Sequence, residues 1–195
     1  MEEKDKIISA ISQLEYNVNL SRSLIYLEGE IDTYSAPFVL ERINIIRDLR
    51  NLSEKDDPIN LYITSPGGDV NGLTALIDIM DSLKCKINTY GIGHVESAAV
   101  WVLAAGTGTR YIAPNAEVMI HELSAWLRGT TSDVENEAKQ IKSVQQNLFR
   151  LLGKFSKKDS TYWIKQIKEH KNLYLTPEKC IELGLVDQYL DTNTI

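Results

Sequence analysis

Three short stretches hold residue types that, brought together, can attack an acyl carbon. Ser97 stands in Gly91-Ile92-Gly93-His94-Val95-Glu96-Ser97-Ala98-Ala99, where a strand pattern gives way to a helix pattern and the following residues are small. A strand-to-helix turn exposes a nucleophilic hydroxyl, although the Gly-x-Ser-x-Gly elbow pattern is missing. His121 ends Val118-Met119-Ile120-His121, at a sheet edge from which an imidazole can reach a neighbouring loop as general base. In Ser65-Pro66-Gly67-Gly68 two glycines let the backbone approach a ligand, and amide N–H groups at the start of the next helix suit an oxyanion. Each stretch also has a plain structural reading: a serine capping its helix, a packed or surface histidine, a tight turn that binds nothing. Phosphate is a weaker ligand for the glycines, because neither the Rossmann spacing nor the Walker Lys-Ser/Thr is present. Of the other histidines, His94 reads as loop-exposed, and His170 lies in a basic run on a solvated helix face.

The elements that must position these residues alternate. Residues 4 to 15 carry Ile7, Ile8, Ile11 and Leu14 at helical spacing, and Ser23 to Ile31 reads as a strand. A helix is predicted over 35 to 50, a strand at Ile59 to Thr64, and after Gly68 a helix capped by Asp69 and striped by Leu73, Leu76, Ile77, Met80 and Leu83. Ile87 to Tyr90 is a strand, Ser97 to Ala105 a buried Ala-rich helix, and Glu117 to His121 a short strand. A capping box Ser132-x-x-Glu135 opens a helix to Phe155, about 35 Å at ~1.5 Å per residue and long enough to project or to form oligomers. A helix over 159 to 169, another opened by Thr176-Pro177 and stopped by Gly184, and a strand near Val186 to Leu190 close the chain. Strands alternating with helices predict an α/β fold.

Composition excludes several classes. A chain of 195 residues with 43% hydrophobic and 25% charged residues is ordinary globular material, expected as a single domain over 1–195. The net charge of −6 argues against a nucleic-acid partner. The apolar run Ala98 to Ala105 is far short of the ~20 residues that span a membrane, and the opening Met-Glu-Glu-Lys-Asp-Lys lacks signal-peptide character, so the expected compartment is the cytoplasm or its stromal or host-cell equivalent. Cys85 and Cys180 form no metal-ligand cluster and read as packing residues; no metal and no cofactor is expected.

Taken together, Leu61 to Gly68, Ser97 to Ala99, Ala113 to His121 and Pro177 to Asp187 resemble the proteolytic subunits of the Clp protease, within the ClpP/crotonase superfamily, in order and separation across residues 23 to 190. The resemblance implies a spiral of β-β-α units with a protruding handle helix, about 132–155 in this chain. It implies a serine endopeptidase acting on peptides or unfolded proteins inside a chamber of two stacked seven-membered rings. By the same carry-over Ser97 is the nucleophile, His121 its base, and the N–H groups of Gly68 and Ala98 the oxyanion hole. Gly67, Leu123, Ser124 and Trp126 fall where the family binds substrate. An AAA+ unfoldase or other ClpP subunits are the implied partners, with no nucleic acid and no membrane.

The chain departs from the family in four places. The triad aspartate is expected twelve residues before Gly184, where this chain has Asn172; a one-residue gap gives Lys171. An amide orients an imidazole without stabilising its cation, and in a standard serine protease the same exchange lowers kcat about 10⁴-fold. Glu169 and Asp187 are the acids nearby in sequence. After His121 the family's Gln-Pro and glycine-rich strand is replaced by Glu122-Leu123-Ser124-Ala125-Trp126-Leu127-Arg128-Gly129. Residues 1–20 are divergent, and Asn60 and Ser82 stand where the family's unfoldase dock has aromatics. The expectation is therefore a peptidase of weak intrinsic activity. The alternative is a catalytically impaired or regulatory subunit that co-assembles with active ones. An acyl-CoA enzyme of the crotonase branch is disfavoured by the Ser/His pair.

Overall fold

A computed structural model describes residues 8, 11, 18–50 and 57–191. Most of the helix expected over 4 to 15 lies outside the described residues, with Ile8 and Ile11 helical. Strand β1 (Val18–Asn19) turns through a 3-10 segment into the antiparallel β2 (Leu24–Glu28). Then follow α1 (Ser35–Arg50), β3 (Ile59–Ser65), α2 (Val70–Ser82), β4 (Ile87–Glu96), α3 (Ala98–Ala104), β5 (Arg110–Ile112) and β6 (Glu117–His121). The chain continues through α4 (Thr131–Phe155), α5 (Ser160–His170), β7 (Asn172–Leu175), α6 (Pro177–Leu183) and β8 (Gln188–Tyr189). The strands form one mixed sheet in the order β1-β2-β3-β4-β5-β8, with β6 on the far end of β4 and β7 beyond it. The fold is α/β, as expected.

Apolar periodicity explains which faces are buried. One stripe of α1 (Val39, Ile43, Ile46) and one of α2 (Leu73, Leu76, Ile77, Met80) cover Ile25, Ile59, Leu61 and Ile63, while every residue of the seven-residue α3 is buried, packed against α2, β4 and α4. Full burial of such a helix costs nothing in polar groups, because Ala98-Ala-Val-Trp-Val-Leu-Ala104 has one polar side-chain atom, and that indole N–H donates to the Leu148 carbonyl at 2.7 Å. On the opposite face Tyr26, Tyr62, Tyr90 and Tyr111 stand in register across β2 to β5, the last three stacked at 4.4 and 4.6 Å.

The position of Ser97 follows from an irregularity in β4. Ile63 pairs with Gly91 but Ser65 pairs with Val95, so β4 inserts two extra residues, and Gly93 takes φ +60° there, a conformation that disfavours any Cβ. Before the bulge, Thr89 to Gly91 pair with β5; after it, His94 to Glu96 pair with β6. The strand is thereby redirected to run beside β6 and to deliver Ser97 next to the element that carries His121.

Several local expectations change. His94 lies on β4 rather than in a loop, although it is exposed. The capping box of α4 is Thr130 with Asp133, not Ser132 with Glu135. Capping two residues earlier is possible because Gly129 has no side chain; a Cβ there would sit 2.8 Å from that of Asp133. Strands β1, β5 and β7 are additions to the expected elements, β4 runs on past Tyr90 to Glu96, and β8 is shorter than the Val186 to Leu190 stretch. The final strand is cut short because Leu185 and Val186 serve the core directly after the left-handed stop at Gly184. Helix α4 spans 25 residues, ~37 Å, and its only buried side chains are Leu148, Phe149 and Leu152 near its C-terminal end. Its first four turns therefore carry Val134, Ala138 and Ile141 as a half-buried stripe beyond the core.

Candidate active site

Ser97 occupies the N-cap position of α3, yet its hydroxyl caps nothing. Its backbone has φ +50° and ψ −129°, a region that costs a non-glycine residue about 1–3 kcal/mol and persists only when neighbours over-determine it. Those neighbours are visible: the Ser97 N–H donates to the Met119 carbonyl at 2.7 Å, and the Ser97 carbonyl accepts from Val100 N–H at 3.0 Å. A simple helix cap would adopt an extended backbone and spend its oxygen on the next turn, as Asp69 does for α2. Ser97 is instead held in a sharp elbow with an uncommitted hydroxyl.

The glycine turn packs against this elbow. A Cβ on Gly67 would lie 2.6 Å from the Ser97 Cβ and 2.8 Å from the Ala98 nitrogen, and one on Gly68 would lie 2.1 Å from the Ile31 carbonyl oxygen. Only glycine permits the approach, at φ +92° and +148°. The turn is held through Ile31, whose N–H donates to the Gly67 carbonyl and whose own carbonyl accepts from Asp69 N–H, both at 2.7 Å. The helix-start amides are mostly spent: the Asp69 carboxylate accepts from Asn71 and Gly72 N–H at 2.8 and 3.0 Å. Gly68 and Ala98 keep N–H groups with no acceptor among the described residues. Two unpaired donors flanking a serine hydroxyl are an arrangement able to stabilise a developing oxyanion.

A cavity of about 180 Å³ joins these groups. Gly68, Ser97, Ala98, His121, Leu123 and Ser124 all line it, and Leu73, Trp101, Leu148 and Phe149 supply its apolar wall. Gly67 lies behind Ser97 rather than on the cavity wall, and Trp126 is absent from the wall and fully exposed. The four apolar wall residues carry no functional signal in the sequence, where they read as ordinary core.

The environment of His121 decides its tautomer. Its Nδ1 lies 2.5 Å from the Glu122 carbonyl oxygen. A carbonyl can only accept, so Nδ1 is the donor in this contact, and in the neutral ring the lone pair then falls on Nε2, the arrangement a general base requires. Asn172 is the cross-strand partner of His121 in the antiparallel β6·β7 pair, so the position twelve residues before Gly184 lies beside the imidazole. The Asn172 side chain is exposed and makes no hydrogen bond to the described residues. The two nearby acids are engaged elsewhere. Asp187 forms a bidentate pair with Arg110, at 2.6 and 3.1 Å, and Glu169 accepts from Gln166 on the surface of α5. Burial pushes the Asp187 carboxyl up, but hydrogen bonds from Arg110 and its charge outweigh that and hold it below the usual carboxylate range.

Comparison with known proteins accords with this geometry. The family model described as Clp protease matches residues 9–193. The ATP-dependent Clp protease proteolytic subunit 2 of Corynebacterium jeikeium (strain K411) is 32% identical over 178 residues, covering 90% of this chain and 82% of that protein. The protein of the same name from Frankia casuarinae is 32% identical over 192 residues, covering 95% of this chain and 86% of the relative. A match of this extent, joined to a serine elbow, an adjacent histidine and a glycine turn on one cavity, makes the chain a member of the Clp protease family.

Proposed function

We propose that this chain is a serine endopeptidase subunit in which Ser97 attacks the peptide carbonyl while His121 takes its proton. The observation that carries the reading is the strained Ser97 elbow with its uncommitted hydroxyl, on the same cavity as a histidine whose Nδ1 proton is accounted for. In the acylation step the Ser97 Oγ–H proton passes to His121 Nε2, Oγ bonds to the carbonyl carbon, and the oxyanion lies against the Gly68 and Ala98 N–H groups. The proton then goes to the leaving amine, and water repeats the sequence to release the acid. Gly67 keeps the turn close to Ser97, while Leu123 and Ser124 border the groove for the peptide backbone. The exposed Trp126 sits on the same loop, away from the cavity.

The chamber belongs to the same reading. Subunits assemble as stacked seven-membered rings through α4, whose stripe Val134, Ala138 and Ile141 lies beyond the subunit's own core. Substrates are peptides or unfolded proteins, delivered by an AAA+ unfoldase partner, and the chain works without a cofactor in the cytoplasm. No described helix is long and apolar enough to cross a membrane. Asn172 in the aspartate position limits the rate rather than abolishing it, because His121 has another acceptor for Nδ1. The test is hydrolysis of an unstructured protein by the wild type and by Ser97→Ala. Loss of hydrolysis in the variant supports the reading; no hydrolysis by either protein points to a regulatory subunit.

A further inference from the structure

The Glu122–Leu123 peptide is bonded at both ends. Its carbonyl accepts from His121 Nδ1, and its N–H donates to Oε1 of Gln145, on α4, at 3.0 Å. A trans peptide is planar, with its C=O and N–H directed oppositely, so a side chain that holds the N–H also aims the carbonyl. Accepting at oxygen while donating at nitrogen also polarises the amide in one sense and strengthens both bonds. Gln145 is half-buried on the cavity wall, four residues after Ile141 and three before Leu148, where the helical stripe otherwise carries apolar side chains. A polar residue in that stripe has one partner among the described residues, the Leu123 N–H.

We propose that Gln145 is a positioning residue for His121. Through the Glu122–Leu123 peptide it supplies the orientation that a triad carboxylate supplies elsewhere. The inference rests on His121 acting as the base, and it deepens that reading by placing the group that orients the imidazole on α4 instead of at Asn172. The arrangement needs an N–H at position 123, which any residue but proline provides. It orients the imidazole without adding a negative charge.

The test uses the full-length protein labelled with ¹⁵N in its three histidines, studied by solid-state NMR at about pH 8.5, two units above an ordinary imidazole pKa. His121→Ala assigns the resonance, and His94 and His170 serve as controls for folding. In the wild type His121 is expected in the Nδ1–H form. Gln145→Leu, close in volume but with no acceptor, should move it toward Nε2–H and slow fluorophosphonate labelling of Ser97 about tenfold, the factor one neutral hydrogen bond is worth. Gln145→Glu, which restores an acceptor, should return the tautomer. If Gln145→Leu does not fold, Leu123→Pro removes the same N–H and should shift the tautomer alike. A wild-type His121 in the Nε2–H form, or a tautomer indifferent to Gln145→Leu, overturns the proposal. A tautomer that responds while the wild type resists labelling leaves Gln145 in its role and removes the peptidase reading instead.

Discussion

Replacing Asn172 by aspartate tests how much of the chemistry is limited by missing charge rather than by missing orientation. Residues directly opposite in an antiparallel pair have Cβ atoms about 4.5–5.5 Å apart, so the introduced carboxylate would stand roughly 5 Å from the His121 ring. At that distance a unit charge pair is worth about 0.8 kcal/mol at the dielectric of water and about 3.3 kcal/mol at an effective value of 20. Asn172 is exposed, so the lower part of that range applies, about 1–1.5 kcal/mol, or roughly tenfold in rate. That is far less than the ~10⁴-fold effect of a triad carboxylate, because Nδ1 already has an acceptor in the Glu122 carbonyl. The assay is the second-order rate of fluorophosphonate labelling, with turnover of a short fluorogenic peptide measured alongside, at low and high salt. A gain near tenfold that shrinks with salt fits a screened charge. An unchanged rate at both salts refutes the electrostatic reasoning. A gain above about 10³-fold would show that His121 was misoriented before the substitution, which is incompatible with an imidazole already oriented by the Glu122 carbonyl.

Gly68→Ala forces a methyl to within 2.1 Å of the Ile31 carbonyl, so it should displace one oxyanion donor and cut labelling by about 10²-fold or more, with a lower Tm in a thermal melt. Asp187→Asn should cost about 1–2 kcal/mol in denaturant titration, because it breaks the charged hydrogen bonds to Arg110 at a partly exposed site. The wild-type contribution has a defined pH window. Since folding lowers the Asp187 pKa from 3.8, this stabilisation is complete above that value and is lost as pH falls through the lower folded-state value, so the stability gap between wild type and Asp187→Asn should close in acid. Trp101→Phe deletes the indole N–H that adds a second hydrogen bond to the helical Leu148 carbonyl, with an expected loss of about 0.5–1.5 kcal/mol in the same titration. Sedimentation should give a mass many times 22.0 kDa, and Ile141→Asp, placed in the projecting stripe, should lower it.

The elements with strong periodicity are legible in the sequence; Ser97 and His121 stand out at the ends of β4 and β6, and it is the family resemblance that turns those places into proposed catalytic roles. Apolar patterns fix which face of α2 or α4 is buried, because burial of that face is what selects the helix. Strand β7 is not legible. Its four residues begin with Asn172, and they become a strand only because β6 offers an open edge for pairing, which is a tertiary fact. Thr130 and Ser132 both match the capping pattern, and only the close approach of Gly129 to Asp133 selects Thr130. The Glu122 carbonyl leaves no trace in a sequence, since every residue carries one. Gln145 leaves a faint one, as the polar member of an apolar stripe. Trp126 is expected beside the substrate because the resemblance puts the family's substrate strand there, but the 122–130 loop carries it into solvent.

The most direct test of Ser97 as a nucleophile activated by His121 is the reaction of the purified protein with a fluorophosphonate, followed by mass-spectrometric mapping of the adduct. A single phosphonylated residue, Ser97, is predicted, with labelling abolished in Ser97→Ala and strongly slowed in His121→Ala. An adduct on another serine, or labelling of Ser97 that proceeds unchanged without His121, would contradict it.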